Sequence, residues 1–319
     1  MDPQASLPIT PEAHAAGPAG PRRPRGSRLL LAAASAWCRF EALAARQADN
    51  HQHPVFTRVL DSAQRVSGAA LATALSVDEK SWLTVKIYDD PPALRADGND
   101  LFEIESALFV QRLPRPPSRI LVGACGTGRE TVALTTQGYS VEAFDPAQEC
   151  VTESCRRLAG RAGVRRLSYE QLSAIVLDGG NDDALRHARF DAVVLGCGSL
   201  SHVLDDREQR RLMQALHALC PTGPIIASFL WSEQPSAGPP TGRAARLGGR
   251  VGRAIARLRG IPPGDTRHMT YRARRGFAYT FTRRELEDLC LAADRRVIWE
   301  RHAARPSLYA TFLPIGASA

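Results

Sequence analysis

The residues able to do chemistry in this chain gather in two stretches. In the first, Arg119 to Asp145, an apolar run leads into Gly123, Gly126 and Gly128, and a second run ends in Asp145. Glycines at such a turn let the backbone approach a ligand, and an acid about twenty residues on can accept hydrogen bonds from ribose hydroxyls. The second stretch, Arg189 to Val203, carries Gly196, Ser199 and His202. A histidine with an unperturbed pKa near ~6.5 can accept a proton at neutral pH.

Positioning such residues calls for a strand, a tight loop, a helix and a second strand. Ile120, Leu121 and Val122 read as the first strand, the segment after Gly128 as the helix, and Tyr139 to Phe144 as the second strand. This is the opening unit of a nucleotide-binding Rossmann sheet. A dinucleotide fingerprint needs a third glycine for close helix packing, but Thr131 follows Gly126 and Gly128, which speaks against a nicotinamide cofactor.

The segment Ala124-Cys125-Gly126-Thr127-Gly128, placed after Ile-Leu-Val and before a helix, resembles motif I of the class I S-adenosylmethionine-dependent methyltransferases. The Arg189 to Val203 stretch resembles that family's strand-four motif, opened by Phe190 and Asp191 and closed by His202. Two positions depart from the pattern. Val122 stands where the family commonly has an acid, and Ala124 where it has its first glycine. The element order matches from Leu101 to Pro314.

The resemblance implies an α/β, Rossmann-like sheet of seven strands with the last one antiparallel. It implies S-adenosylmethionine as cofactor, held by Gly123, Ala124, Cys125, Gly126, Gly128, Asp145 and Pro146. Glu170, with Gln171 beside it, falls at the end of strand three, where the family contacts adenine, and Gly196 ends strand four. Tyr88 and Glu103, in the segment before motif I, are expected near the ligand; as a packing aromatic and a first-turn helix acid they would serve equally well. The sulfonium activates the methyl group, so the protein mainly aligns donor and acceptor, with His202 as the candidate general base. His268 and Tyr271 are further candidates for acceptor contact.

Around this unit the chain of 319 residues is long enough for a full core, and its 44% hydrophobic and 23% charged content is that of an ordinary globular protein. Residues 1–27, rich in Pro, Ala and Gly, read as a disordered tail. Residues 28–98 read as a helical extension, in which Leu30, Ala34, Trp37, Phe40 and Leu43 recur at helical spacing and are expected to face inward. Residues 99–319 form the cofactor-binding domain. A helix over Leu101 to Leu113 is expected to be capped by Asn99 or Asp100. Residues 232–275 break the alternation and read as a lid; their basic run, Arg243, Arg246, Arg250, Arg253, Arg257, Arg259, Arg267, Arg272, Arg274 and Arg275, would either clamp an acidic small molecule or phosphate by bidentate contacts or belong to a solvated helix, Arg243 to Arg259, that turns Leu247, Val251, Ile255 and Leu258 inward. Thr282 and Glu285 form a capping box for the helix that follows, and strands Arg296 to His302 and Leu308 to Pro314 close the chain as an antiparallel hairpin.

The formal charge of +8 is carried almost wholly by arginine, with Lys80 and Lys86 the only lysines. No aromatic residues interleave with the basic run and no RNA-binding module is appended, which argues against nucleic acid as the partner. Seven cysteines without a CxxC pair point to reduced thiols, a cytoplasmic location and no zinc site. The local His51 and His53 pair lacks ligating neighbours. No apolar stretch spans a bilayer, so no membrane is expected. Oligomeric state is not encoded in any pattern here. These features point to a methyltransferase acting on an oxygen or nitrogen of a small molecule. RNA or protein methylation is the rival enzyme reading, and a catalytically inactive cofactor-binding module is the non-enzyme one.

Overall fold

The computed structural model describes residues 28–51, 54–89, 100–233, 242–262, 268–300 and 307–316. The expected tail, His53, Asn99, Arg267 and His302 lie outside the described residues, and residues 232–275 are described in part.

Five short strands form the parallel centre: β1 (Arg119–Gly123), β2 (Ser140–Asp145), β3 (Gly163–Arg166), β4 (Ala192–Leu195) and β5 (Ile225–Trp231). They lie in the order β3-β2-β1-β4-β5. β1 and β4 are buried almost throughout, as expected of parallel strands covered by helices on both faces. The chain then adds β6 (Met269–Arg272), β7 (Gly276–Phe281), β8 (Arg295–Glu300) and β9 (Ser307–Pro314).

β9 runs antiparallel along β5, Ala227 facing Ala310, and β8 pairs antiparallel with the outer side of β9. The order β3-β2-β1-β4-β5-β9-β8 is the seven-stranded sheet with its last strand antiparallel. β6 and β7 form a further antiparallel hairpin, attached to the end of β5 where Leu230 pairs Thr280 and Trp231 pairs Phe281. Among the described residues the sheet therefore has nine strands, two more than expected. The addition falls in and just after the stretch read as a lid, where the short Met269–Arg272 run carries little hydrophobic signal.

Helices follow strands as in a doubly wound sheet: α5 (Arg129–Thr136) after β1, α6 (Gln148–Leu158) after β2, α7 (Tyr169–Asp178) and the short α8 (Asp183–Arg186) after β3, and α9 (Asp206–Leu219) after β4. Before β1 stand α1 (Arg28–His51), α2 (Pro54–Ala74), α3 (Val77–Tyr88) and α4 (Glu103–Arg112). After β5 comes α10 (Arg243–Leu258), and α11 (Arg283–Leu291) precedes β8. Thr282 caps α11, accepting the Glu285 N–H while the Glu285 carboxylate takes the Thr282 N–H, as the capping box requires. α4 begins later than expected, at Glu103. The N–H of Phe102, just before it, is taken by the Glu105 carboxylate at 2.9 Å rather than by Asp100.

Two helices turn a different face inward from the one their large apolar residues mark. α1 buries Leu31, Ala34, Cys38, Glu41 and Ala42, while Trp37, Phe40 and Leu43 are exposed. Glu41 is held there by the hydroxyls of Ser67 and Tyr271. α10 buries Ala245, Gly248, Gly249, Gly252 and Ala256, whereas Leu247, Val251 and Leu258 are exposed. The reason is proximity to α2. A Cβ added to Gly248 would lie 2.1 Å from the Val66 carbonyl oxygen, and one on Gly252 would lie 2.3 Å from that of Ala70. At such approach only a seam of glycine and alanine fits.

The helices before β1 and the segment after β5 thus pack on one another. α2 takes α10, the hydroxyl of Thr84 on α3 accepts the Phe277 N–H of β7 at 2.9 Å, and Arg259 bonds the Ala74 carbonyl at 2.8 Å and the Glu79 carboxylate.

Candidate active site

The loop after β1 is built from left-handed backbone. Ala124, Gly126 and Gly128 have φ of 47°, 56° and 84°. An added Cβ at Gly126 would meet nothing within 4 Å, so this residue presents bare backbone to open space. Gly128 begins α5, and a Cβ there would lie 2.4 Å from the Ser154 Oγ. Beside the loop, the buried Asp145 carboxylate at the end of β2 accepts the Gly126 N–H at 2.9 Å and the Ala147 N–H at 2.8 Å, one on each oxygen. Each oxygen keeps a lone pair for a further donor. Burial pushes this carboxyl up to about 6, against the pull of the two backbone donors, and nearby Asp89 adds to the rise.

Together these residues edge a cavity of about 1150 Å³ at the carboxyl ends of the parallel strands. That exceeds the roughly 300–1,000 Å³ typical of a pocket for one small ligand. Of the residues the sequence singled out, Tyr88, Ala124, Cys125, Gly126, Asp145, Pro146, Glu170, Gly196 and His202 line it. Gly123 and Gly128 do not. Gly123 is enclosed in the sheet, where an added Cβ would meet Leu195, Phe144 and Tyr169, so its smallness serves packing.

Glu170 is an exposed residue in the first turn of α7, and the Gln171 side chain caps that helix by accepting the Ser168 N–H at 2.9 Å. Glu103 is exposed and does not line the cavity; Glu105, two residues on, is the buried acid of α4. His268 and Tyr271 are also absent from the lining. His268 stacks on Tyr279 at 5.2 Å, and Tyr271 donates to Glu41 at 2.8 Å.

Also at the cavity, the end of α3 meets the 3-10 turn Ser199–His202. The Tyr88 hydroxyl stands 3.3 Å from His202 Nε2, and His202 Nδ1 stands 2.9 Å from the Phe277 carbonyl oxygen. A carbonyl only accepts, so Nδ1 carries the proton and Nε2 offers its lone pair to the tyrosine hydroxyl. Burial pushes the imidazole below the usual histidine range, partly offset by the Phe277 carbonyl, and the Arg275 charge lowers it further. Burial raises the Tyr88 phenol, so it stays protonated. The imidazole thus holds an unprotonated nitrogen behind the Tyr88 hydroxyl.

Sequence reasoning missed the support beneath the loop. The buried Arg129 guanidinium bonds both oxygens of Glu105, the Glu130 carboxylate at 2.7 Å and the Cys197 sulfur at 3.1 Å, and Tyr309 donates to Glu105. Glu105, Glu130 and Cys197 stand close enough together to suit a cation, but Arg129 already bonds all three. The one local hint was an arginine directly after Gly128. Its partners Glu105, on α4, and Cys197, after β4, lie 24 and 68 residues away in sequence.

No family model matches the chain. A stretch of 124 residues is 27% identical to the glycine/sarcosine N-methyltransferase of Halorhodospira halochloris, covering 38% of this chain and 44% of that enzyme. The chain thus matches less than half the length of that relative. Among solved structures it is similar to an S-adenosylmethionine-dependent methyltransferase of Leishmania major, with 16% identity over 73% of this chain and 82% of the other, at a TM-score of 0.48. It is also similar to CalS10, an amino pentose methyltransferase of Micromonospora echinaspora, with 17% identity, 71% and 96% coverage and a TM-score of 0.47. A third is the 1,6-didemethyltoxoflavin-N1-methyltransferase of Burkholderia thailandensis, with 20% identity, 72% and 80% coverage and a TM-score of 0.43.

Proposed function

We propose that this chain is an S-adenosylmethionine-dependent methyltransferase acting on a hydroxyl or amine of a small molecule. The observation that carries the reading is one cavity that gathers open glycine backbone with the Asp145 carboxylate and the Tyr88 and His202 pair. The partial match to an N-methyltransferase is in keeping with it.

The residues fit the cofactor. Bare backbone at Gly126 can accept close approach, Asp145 keeps lone pairs for ribose hydroxyls, and Glu170 and Pro146 edge the same side. Bound there, S-adenosylmethionine would supply an electrophilic methyl group. The protein's own part is to align the acceptor and remove its proton. An acceptor O–H or N–H that donates to the Tyr88 oxygen lies one hydrogen bond from His202 Nε2. When the acceptor's lone pair takes the methyl carbon and the carbon–sulfur bond breaks with its electrons kept on sulfur, the acceptor's proton would pass to Tyr88 and the tyrosine proton to Nε2, leaving an imidazolium. The Phe277 carbonyl, already facing Nδ1–H, stabilises that cation.

Isothermal titration with S-adenosylmethionine and, separately, with NAD tests the cofactor. Micromolar binding of the first alone, weakened in Asp145→Ala, supports the proposal. Preference for NAD, or no binding of S-adenosylmethionine, sinks it.

A further inference from the structure

The turn between β6 and β7 brings Arg272, Arg274 and Arg275 to the cavity. Its placement is tightly determined. Gly276 has φ of +71°, and a Cβ on it would lie 2.5 Å from the Thr84 Oγ1, so the turn can sit against α3 only with glycine here. The next residue, Phe277, gives its N–H to Thr84 and its carbonyl to His202 Nδ1. Arg275 is therefore carried by the same few residues that orient the imidazole, and its charge acts on both His202 and Tyr88.

Several acids of the cavity are already engaged. Asp145 accepts two backbone N–H groups, Glu130 is bonded by Arg129, and Asp205 caps α9. Glu208 stands 3.8 Å from Arg211. Arg275 makes no ion pair among the described residues. On α3 the cavity is lined by the apolar Trp82 and Val85 beside Asp78, Ser81 and Thr84. A guanidinium presents a planar fork of donors that matches a carboxylate or phosphate, and here it stands beside the proposed base.

We propose that Arg275 anchors an oxyanionic group on the methyl acceptor, so that the substrate is a small carboxylate- or phosphate-bearing molecule. The anchored molecule lays its apolar body along α3 and its hydroxyl or amine against Tyr88. Arg275 is thus a specificity-determining residue. The assignment rests on the methyltransferase reading only for naming the ligand an acceptor; the oxyanion site stands or falls by itself.

Calorimetric titration of the full chain, with and without saturating S-adenosylhomocysteine, decides it with three probes: benzoate, phenyl phosphate and benzyl alcohol. In the wild type at least one anion binds about tenfold or more tighter than the alcohol, since hydrogen bonds to a charged group are worth roughly 1.5–3 kcal/mol. The better anion identifies the group as carboxylate or phosphate. Arg275→Gln abolishes that advantage, whereas Arg274→Gln keeps it. Equal binding of all three probes by the wild type, binding of none, or an advantage that survives Arg275→Gln overturns the proposal. Should Arg275→Gln not fold, Arg275→Lys, which keeps the charge without the fork, is expected to bind the anion with intermediate affinity, and unchanged affinity counts against the site. Failure of S-adenosylhomocysteine to bind the wild type would instead strike the methyltransferase reading, while the titrations without it still judge the oxyanion site.

Discussion

The hydroxyl of Tyr88 and the Nε2 of His202 stand 3.3 Å apart although 114 residues separate them in the chain. One sits at the end of a helix that precedes the sheet and the other on the turn after β4, and their rings meet edge to face at 5.6 Å. The Phe277 carbonyl settles which imidazole nitrogen carries the proton and leaves Nε2 as the one that can accept, as the proposed base requires.

Removing the base is expected to stop chemistry while sparing the cofactor. His202→Ala should lower methyl transfer by about 10²- to 10⁴-fold, and Tyr88→Phe by a smaller factor, with S-adenosylhomocysteine affinity within about twofold of wild type. Single-turnover assays with a working acceptor and calorimetry together make the check. Unchanged turnover in His202→Ala would show that the acceptor needs no base.

The pH dependence has a defined sign. His202 must be neutral to accept a proton, and burial holds its pKa below the usual ~6.5. Activity should therefore persist to pH values under that figure and fall as the imidazole protonates. The Arg275 charge helps to depress the value, so Arg275→Ala should move the acid limb to higher pH. An acid limb that does not move would show that Arg275 exerts no effect on the ring.

Asp145 titrates on the cofactor side. With its carboxyl raised to about 6 by burial, it is ionised at neutral pH and gains a proton on mild acidification. Since ribose hydroxyls donate best to the ionised form, affinity for S-adenosylhomocysteine should fall as pH drops from ~7.5 to ~5. Asp145→Asn, which has no charge to lose, should bind more weakly at neutral pH and show a flatter profile by calorimetry.

The buried Arg129 network holds the loop in place from below. Glu105→Ala strips Arg129 of its bidentate partner and should cost about 3 kcal/mol in denaturant unfolding, because the guanidinium loses most of its compensation in the interior. Glu130 and the Cys197 sulfur stay on one of its nitrogens and the Asp100 carbonyl, at 3.3 Å, on the other. A loss under about 1 kcal/mol would mean that water replaces the carboxylate.

The face α10 turns to α2 can be read by substitution. A side chain at Gly252 would start 1.8 Å from the Thr73 Oγ1, so Gly252→Leu should destabilise by about 1–3 kcal/mol or more. Leu247→Glu, at a residue 58% exposed, should stay within about 0.5 kcal/mol. The reverse ranking would put the leucine face inward.

The parallel unit around motif I was legible because its signals are local. A buried strand writes a continuous apolar run, a left-handed turn selects glycine, and an acid closes the next strand, all between Arg119 and Asp145. Thr282 and Glu285 were legible for the same reason, since a capping box spans four residues. The inward faces of α1 and α10 were misread because each helix carries a large apolar stripe and a small-residue stripe. Periodicity shows that a helix has a face; the distance to the neighbouring backbone chooses which face fits. The β6 and β7 hairpin was missed because its pairing with the end of β5 leaves little mark in so short a strand.

The sequence by itself thus determined the nucleotide-type loop, the acid beside it and the order of strands and helices, each a matter of near neighbours in the chain. Only the tertiary structure decided that Tyr88 would face His202, that Glu105 rather than Glu103 would be buried, that Gly123 would serve packing, and that Arg275, one arginine of many after β5, would stand beside the proposed base. Those outcomes depend on contacts across the sheet edge and between α3, the 3-10 turn and β7. Residues that distant in sequence are brought together by packing, which no local pattern records.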